Sequence, residues 1–169
     1  RSNSLSESDS ELDCHKKKKT RYPTFNEEKD MSSGKLALGM KFSNHLVFKE
    51  ALKEYTIKAG KDFKYIHNEE GRVSAICKRK CGWYIFVSLT PDKIAFQIKT
   101  FKNKHTCGRH VKISKVNYKW LAKKYVDLIR TIPHISLEAM QVVVRRDHNI
   151  ETSTSQCYRA RKLAEKMLE

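Results

Sequence analysis

The spacing of hydrophobic residues changes along the chain, and the first change marks the end of a polar tail. Residues 1–35 are rich in Ser, Asp, Glu and Lys and contain only scattered large hydrophobic residues. Such a segment buries too little surface to offset the entropy that ordering costs. We therefore predict a disordered charged tail over residues 1–38.

A helical period begins after Asn44, whose side chain is suited to cap a helix. Hydrophobic residues then recur at spacings of three and four as far as Ala59, and Gly60 is a typical helix end. The predicted helix faces a core through Leu46, Val47, Ala51, Leu52 and Tyr55.

Residues 62–100 switch to a period of two, which indicates β-strands. Turn-forming residues at 68–71 and 90–93 separate the runs. The predicted inward-facing sets are Val73, Ala75 and Cys77, then Trp83, Ile85 and Val87, then Ile94, Phe96 and Ile98. Together with a first strand near Phe63, these runs predict a four-stranded antiparallel meander.

The C-terminal third returns to helical spacing. A first helix runs from about Tyr118 to before Pro133, Ser136 can cap a second, and the cluster at 152–155 can begin a third. Three short helices with tight connections resemble a helix-turn-helix arrangement. The predicted fold class is α+β, with a β domain and its leading helix over residues 40–112 and a helical annex over residues 116–168.

Four residues with soft ligand atoms occur in two close pairs, Cys77 with Cys81 and His105 with Cys107. The pattern is C-x3-C, a gap of 23 residues and then H-x-C, which is typical of a closed tetrahedral zinc site. Antiparallel pairing brings the second-to-third strand turn and the end of the fourth strand to the same edge. We therefore predict one structural Zn²⁺, with no open coordination position.

Other assignments of the cysteines and histidines remain open. The alternative to a metal site is a set of buried free thiols beside a coincidental histidine. His110 can substitute for Cys107 as the fourth ligand, whereas Cys14 and Cys157 are not expected to bind metal. The N-terminus has no apolar secretory signal, so we expect a reducing compartment in which cysteines are ligands more often than disulfides.

The charge is strongly basic and unevenly placed. The chain has 35 Lys and Arg against 19 Asp and Glu, a net charge of +16, while its first 30 residues sum to zero. A basic excess in the ordered part predicts a polyanionic partner, and together with the cysteine and histidine pattern it favours a nucleic acid. The residues expected to contact DNA are Lys78, Arg79, Lys80, Lys102, Lys104, Arg109, Lys112, Arg159, Arg161 and Lys162.

Several short motifs occur along the chain. They are Phe42-Ser43, Phe48 to Leu52 with Tyr55, Arg72-Val73, Cys81-Gly82-Trp83, Phe96 to Phe101, His105 to Cys107 and Cys157 to Lys162. Together they resemble the N-terminal DNA-binding region of plant Mutator-like (MuDR-type) transposases and, more broadly, the WRKY and glial-cells-missing class of zinc fingers. The WRKYGQK strand that reads bases in the WRKY class has no counterpart, since the matching region runs from Asp62 to His67. Base recognition therefore does not carry over.

The resemblance implies a nuclear, zinc-dependent module that binds terminal-inverted-repeat DNA, or promoter DNA if the protein is domesticated. Because the chain begins at Arg1 and ends before any transposase catalytic domain, we expect a fragment or a domesticated remnant. The basic run from Lys16 to Arg21 resembles a nuclear-import signal, although a solvated charge cluster is equally consistent with it. The target sequence and a homo- or hetero-oligomeric state stay open.

No enzymatic activity is expected. The acids after the cysteine–histidine module lie on predicted helix surfaces, and no phosphate loop or nucleophile–base pair stands out. We expect no membrane contact, since no run approaches the ~20 apolar residues of a span, and no small-molecule substrate. A competing function is a zinc-stabilised protein-interaction adaptor. RNA binding is disfavoured because the sheet aromatics mostly alternate inward.

Overall fold

The computed structural model describes residues 21–169, so the predictions for Cys14 and for the basic run at 16–20 lie outside the described residues. The fold is α+β. Its elements are α1 (Glu27–Asp30), β1 (Lys41–Phe42), α2 (His45–Ala59), β2 (Phe63–Asn68), β3 (Arg72–Cys77), β4 (Tyr84–Leu89), β5 (Phe96–Lys102), α3 (Tyr118–Thr131), α4 (Leu137–His148) and α5 (Thr154–Met167). Within this range, no helix is long and apolar enough to cross a membrane.

One antiparallel sheet carries the strands in the order β1-β5-β4-β3-β2. The four predicted strands form the expected meander, but the sheet has a fifth strand, β1, which pairs Lys41 with Gln97 and Phe42 with Phe96. A strand of two residues is too short to show a period of two. The prediction of four strands is corrected on this point.

Helix α2 covers one face of the sheet. It begins after Asn44, whose side chain accepts a hydrogen bond from the Val47 N–H, and ends at Gly60, as predicted. Its buried residues include Phe48 and Leu52, which pack on Val73 and the other inward residues of the strands. This apolar contact holds helix and sheet together.

Two predicted core positions are wrong. Leu46 is 61% exposed because it lies in the first turn of α2, where Phe48 takes the core position instead. Ile94 is 78% exposed because it belongs to the β4–β5 turn rather than to β5. In both cases the hydrophobic period extends slightly past the part of the element that packs on the core.

The segment before β1 is packed, which corrects the prediction of disorder for residues 21–38. Phe25 is buried, and its ring centroid lies 4.8 Å from that of Phe42. Its backbone N–H donates to the Lys41 carbonyl at 2.8 Å. Met31 and Leu36 also pack against this core. These contacts join residues distant in sequence, so composition alone does not reveal them.

The C-terminal helices form a second hydrophobic core. Helices α3 and α5 pack together, and α4 packs on α5. Leu121, Ile129, Met140 and Ala160 are among its buried residues, whereas Met167 is 51% exposed near the end of α5. Ile57 of α2 joins this core, so α2 contacts both hydrophobic clusters.

The C-terminal end of α2 carries a conformation that favours glycine. Gly60 has φ 67° and ψ 40°, and a Cβ there lies 2.5 Å from the Arg109 guanidinium. The left-handed conformation costs a residue with a Cβ about 1–2 kcal/mol, and the Arg109 side chain must also shift. The turn from α2 into β2 therefore depends on glycine.

We expect Gly60→Ala to lower the free energy of unfolding by about 1–2 kcal/mol, measured by chemical denaturation. Gly71→Ala is the matched control, because a Cβ at Gly71 has no neighbour within 4 Å and its φ is not left-handed. That control should stay within about 0.5 kcal/mol of the unsubstituted protein. Equal effects of the two substitutions contradict the explanation.

Candidate metal centre and nucleic-acid interface

The four predicted ligands meet at one end of the sheet. Cys77 ends β3, Cys81 lies in the loop that leads to β4, and His105 and Cys107 follow β5. One ligand atom from each lies within 4.8 Å of all the others. The predicted convergence is therefore present, and strand register is its cause.

The β3–β4 loop turns tightly enough to bring both sulfurs to the same side. The Lys80 N–H donates to the Cys77 carbonyl at 2.9 Å. Lys80 has φ 52° and Gly82 has φ 97°, so two left-handed residues flank Cys81. The loop reverses direction and presents Cys81 opposite the His105 ring.

The ligand atoms have the spacing of a tetrahedral site. The Cys77 and Cys107 Sγ atoms are 3.7 Å apart, and His105 Nδ1 lies 3.3 Å from Cys81 Sγ and 3.9 Å from Cys107 Sγ. Tetrahedral zinc with its usual bond lengths requires about 3.8 Å between sulfurs and about 3.6 Å between sulfur and nitrogen. Three thiols and one imidazole at these separations fit a closed zinc site.

The electrostatics of the thiols favour a cation. Burial, together with the nearby Cys81 and Cys107 sulfurs, raises the pKa of Cys77 to about 11. Burial also opposes ionisation of Cys81, but hydrogen bonds from the backbone N–H groups of Trp83 and Thr106 and from the His105 side chain outweigh it and lower the pKa to about 5. A divalent cation removes the repulsion between thiolates and allows all three to ionise.

The His105 ring is held by an aromatic neighbour. Trp83 is 1% exposed, and its ring is stacked on the imidazole, with centroids 5.3 Å apart and planes at 10°. His105 Nε2 is buried without a hydrogen-bond partner in the described part of the chain, so Nδ1 is the nitrogen that faces the sulfurs. Trp83 thus contributes to ligand orientation as well as to the core.

Two further side chains donate toward Cys107. His110 Nδ1 accepts the Asp62 backbone N–H at 2.8 Å, so the neutral ring carries its proton on Nε2, which lies 3.5 Å from Cys107 Sγ. Burial and the nearby cations Arg79 and Lys61 lower the pKa of His110, which favours this neutral form. His110 is therefore placed to donate to the Cys107 thiolate. It does not replace Cys107 as the fourth ligand candidate, because the group whose ligand atoms lie within 4.8 Å of one another contains Cys107 and not His110.

Lys61 is the second donor. Its Nζ lies 3.7 Å from Cys107 Sγ and donates to the carbonyls of Cys107 and Gly108 at 2.6 and 2.8 Å. Sequence reasoning considered His110 only as a replacement ligand and missed Lys61. The spacing of His105, Cys107 and His110 could have indicated the role of His110. Nothing in the spacing along the chain indicates Lys61.

Asp62 connects the ligand loop to the helical annex. Its carboxylate accepts from the Ser114 N–H and hydroxyl, both at 2.9 Å, and pairs with Lys78 at 3.0 Å. Burial tends to raise the pKa of Asp62, but these hydrogen bonds outweigh it and hold the pKa below the ordinary value. The carboxylate is therefore ionised at neutral pH and ties the sheet to the segment before α3.

Basic side chains are concentrated at the ligand end of the strands, whereas the opposite end carries charges of both signs. At the ligand end are the exposed residues Lys78, Arg79, Lys80, Lys102, Lys104 and Lys112. The opposite end carries Glu69, Glu70 and Asp92 in its turns, together with the exposed Lys93 and with Arg72, which pairs with Glu69 at 2.9 Å. Of the ligand-end side chains, Lys78 pairs with Asp62, and Arg79 approaches the Gly108 carbonyl at 3.5 Å.

Other predicted contact residues already have partners inside the protein. Arg109 donates to the His148 carbonyl at 2.8 Å, and Arg161 donates to the Ile135 carbonyl at 2.8 Å. On α5, Arg159 lies 3.9 Å from the centre of the Tyr118 ring, and Lys162 pairs with Glu165 at 3.3 Å. Arg109 and Arg161 therefore contribute to packing between elements.

Comparisons with known proteins agree with the motifs. Residues 34–98 match the family model described as MuDR family transposase, which is less than half of the chain. This match confirms the resemblance over that segment, which runs from before α2 into β5 and contains Cys77 and Cys81. No curated protein matches the chain.

One solved structure that is similar to the chain is described as "Crystal structure of AFT2 in complex with DNA". It is 13% identical, with a TM-score of 0.41, and the alignment covers 69% of this chain and 95% of that chain. A similarity of this size does not establish a common fold.

We expect His110→Ala to weaken metal binding about 10- to 100-fold, because it removes the donor to Cys107 while keeping all four ligands. Competition with a chromogenic chelator measures the affinity. His110→Gln, which retains an N–H donor, should recover part of the loss. His134→Ala, at an exposed loop position, is the control, and an affinity of His110→Ala equal to this control contradicts the assignment.

Proposed function

We propose that this chain is a zinc-stabilised, double-stranded-DNA-binding module of MuDR transposase type. The observation that carries the proposal is the match of residues 34–98 to that family, together with a Cys3His group at the end of the same sheet. Terminal inverted repeats are the proposed target, or promoter DNA if the protein is domesticated. The nucleus is the proposed site of action.

In this proposal Cys77, Cys81, His105 and Cys107 hold one zinc ion. Three sulfurs and a nitrogen fill all four positions of a tetrahedral site, so the ion supplies cross-linking rather than Lewis-acid chemistry. It joins the β3–β4 loop to the segment after β5, which are far apart in sequence. The module is proposed as non-catalytic.

The DNA-facing surface in the proposal is the ligand end of the sheet. Lys78, Arg79 and Lys80 lie between two ligands, while Lys102, Lys104 and Lys112 lie at the end of β5 and on the loops beside them. Positive side chains concentrated at one end of the strands suit phosphate contacts. Lys162 on α5 and Arg159 are secondary candidates, and Arg109 and Arg161 contribute chiefly through the packing described above.

The proposed organisation separates residues 40–112 from residues 116–168. The two hydrophobic clusters support this division, since the sheet residues and the α3–α5 residues form separate sets. Asp62, Ser114 and Arg109 then connect the two parts through the contacts already described. The helical annex would orient the ligand end on DNA.

A protein-interaction adaptor is the second candidate, and one observation favours it. An apolar groove on the helical annex is lined by Leu128, Ile132, Ala139 and Val143. Ile132 is 48% exposed. In the adaptor function zinc only maintains the fold, so duplex affinity should be weak and independent of the β3–β4 loop.

We expect one zinc per chain by metal analysis, and loss of β-sheet circular dichroism when a strong chelator is added. Cys107→Ala should lower zinc affinity sharply because it removes a ligand. Cys157→Ala removes a buried cysteine outside the ligand group and should leave stoichiometry unchanged. Full zinc content in Cys107→Ala, or a fold that withstands complete zinc removal, contradicts the metal assignment.

We expect neutralisation of the β3–β4 loop by Lys78→Gln, Arg79→Gln and Lys80→Gln to weaken duplex binding and to reduce the slope of log K against log salt. Each phosphate that is no longer neutralised should change the slope by about 0.9. Fluorescence anisotropy at several salt concentrations measures both quantities.

The matched control is Arg21→Gln, Lys29→Gln and Lys35→Gln, which removes the same charges from exposed positions before β1. If both triple variants lose the same affinity and slope, the effect is one of net charge and the loop is not the interface. Zinc content should remain equal in the two variants.

A further inference from the structure

The sheet has a second face, which α2 does not cover. This face carries the outward side chains of the four long strands. We call a row of paired residues across the strands a rung, and one rung consists of Lys64, Ile76, Tyr84 and Lys102. The next rung includes Phe86, paired with Ser74 on one side and Thr100 on the other. We call these two rungs the open face.

Two aromatic residues, Tyr84 and Phe86, are neighbours on the open face. Tyr84 and Phe86 are two residues apart on β4, so their side chains point to the same side, about 6.8 Å apart along the strand. Both are half-buried, as is Ile76. None of the three packs against either hydrophobic core of the described chain, whereas Ile85 and Val87, which alternate with the rings, are fully buried.

The charge around these rings has one sign. Lys64 and Lys102 end the rung that contains Tyr84, and both are exposed. From strand spacing the two lysines stand about 14 Å apart, with the rings between them. The four long strands contain no Asp or Glu. An aromatic centre with lysines on both sides and no acid on these strands complements a strand of bases and phosphates.

We propose that the open face binds single-stranded DNA, with bases stacked on Tyr84 and Phe86 and phosphates near Lys64 and Lys102. Stacking on flat rings requires bases that are not stacked on each other, so the occupant is single-stranded. The choice of DNA rests on the proposed function. The open face adjoins the ligand end and shares Lys102 with it, but Tyr84 and Phe86 belong to the open face alone.

A duplex does not fit the open face in the same way. The four long strands span about 14 Å, whereas the major groove is about 12 Å wide and admits a helix or a two-stranded ribbon. The face therefore cannot enter the groove, although a loop at the ligand end can. An apolar protein partner would not require lysines on both sides of the rings.

The alternation of β4 also explains why an aromatic stacking surface was not expected from the sequence. The alternation of β4 places Trp83, Ile85 and Val87 inward, and the same alternation places Tyr84 and Phe86 outward. The position of α2 on the opposite face shows that this helix does not cover the outward rings, which remain half-buried.

The test uses the zinc-loaded full chain and an oligothymidine probe of about 16 nucleotides, with a mixed-sequence duplex and an oligouridine of equal length as parallel probes. Tyr84→Ile and Phe86→Ile keep apolar bulk and strand propensity but remove the flat rings. Each should weaken oligothymidine binding at least about fivefold while duplex binding stays within about twofold. Ile76→Val, in the same rung, is the matched control.

A second readout reports stacking directly. Phe86→Trp places an indole on the open face, and its fluorescence should fall when oligothymidine is added. The two natural tryptophans, Trp83 and Trp120, are 1% and 7% exposed and give the background measured in the unsubstituted protein. Circular dichroism and zinc content establish that each variant is folded.

The possible results separate the two proposals. Loss of oligothymidine binding alone, with quenching of the new indole, supports the open-face proposal even if duplex binding proves absent. Unchanged oligothymidine binding in the Ile variants, equal loss of duplex binding, or tighter binding of oligouridine overturns it. Failure to bind any of the three probes overturns both proposals and favours the adaptor.

Discussion

The convergence of three sulfurs and one imidazole at the end of the sheet is the constraint on which the rest of the structure depends. Thiolates 3.7 Å apart repel in a buried setting, so the arrangement is stable in its ionised form only with a cation between them. The strand ends that carry these ligands also carry the basic loops. Whatever holds the ligands together therefore also fixes the positions of the positive charges.

That constraint extends beyond the ligands themselves. Cys107 meets His110, the His110 ring accepts from Asp62, and Asp62 in turn accepts from Ser114 just before α3. Few of these contacts are exposed, so each bond strengthens in a low dielectric. Order at the ligand end is consequently transmitted to the segment that positions the helical annex.

Local signals along the chain predicted much of this architecture. Residue preferences over a few positions account for the caps at Asn44 and Ser136, the helix end at Gly60 and the four long strands. The convergence of Cys77, Cys81, His105 and Cys107 was predictable because spacing and strand direction together bring the four residues to one edge. Phe25, β1 and Lys61 escaped prediction because each acts through a partner distant in sequence.

The sequence alone determined the periods of the elements, the residues of the Cys3His group and the basic character, since these are properties of composition and spacing. Tertiary structure decided which face of each element is covered: it buried Phe48 but left Leu46 outside, and it left Tyr84 and Phe86 away from both cores. The physical reason is that burial depends on which surfaces meet, and alternation specifies two faces without saying which one a helix will cover.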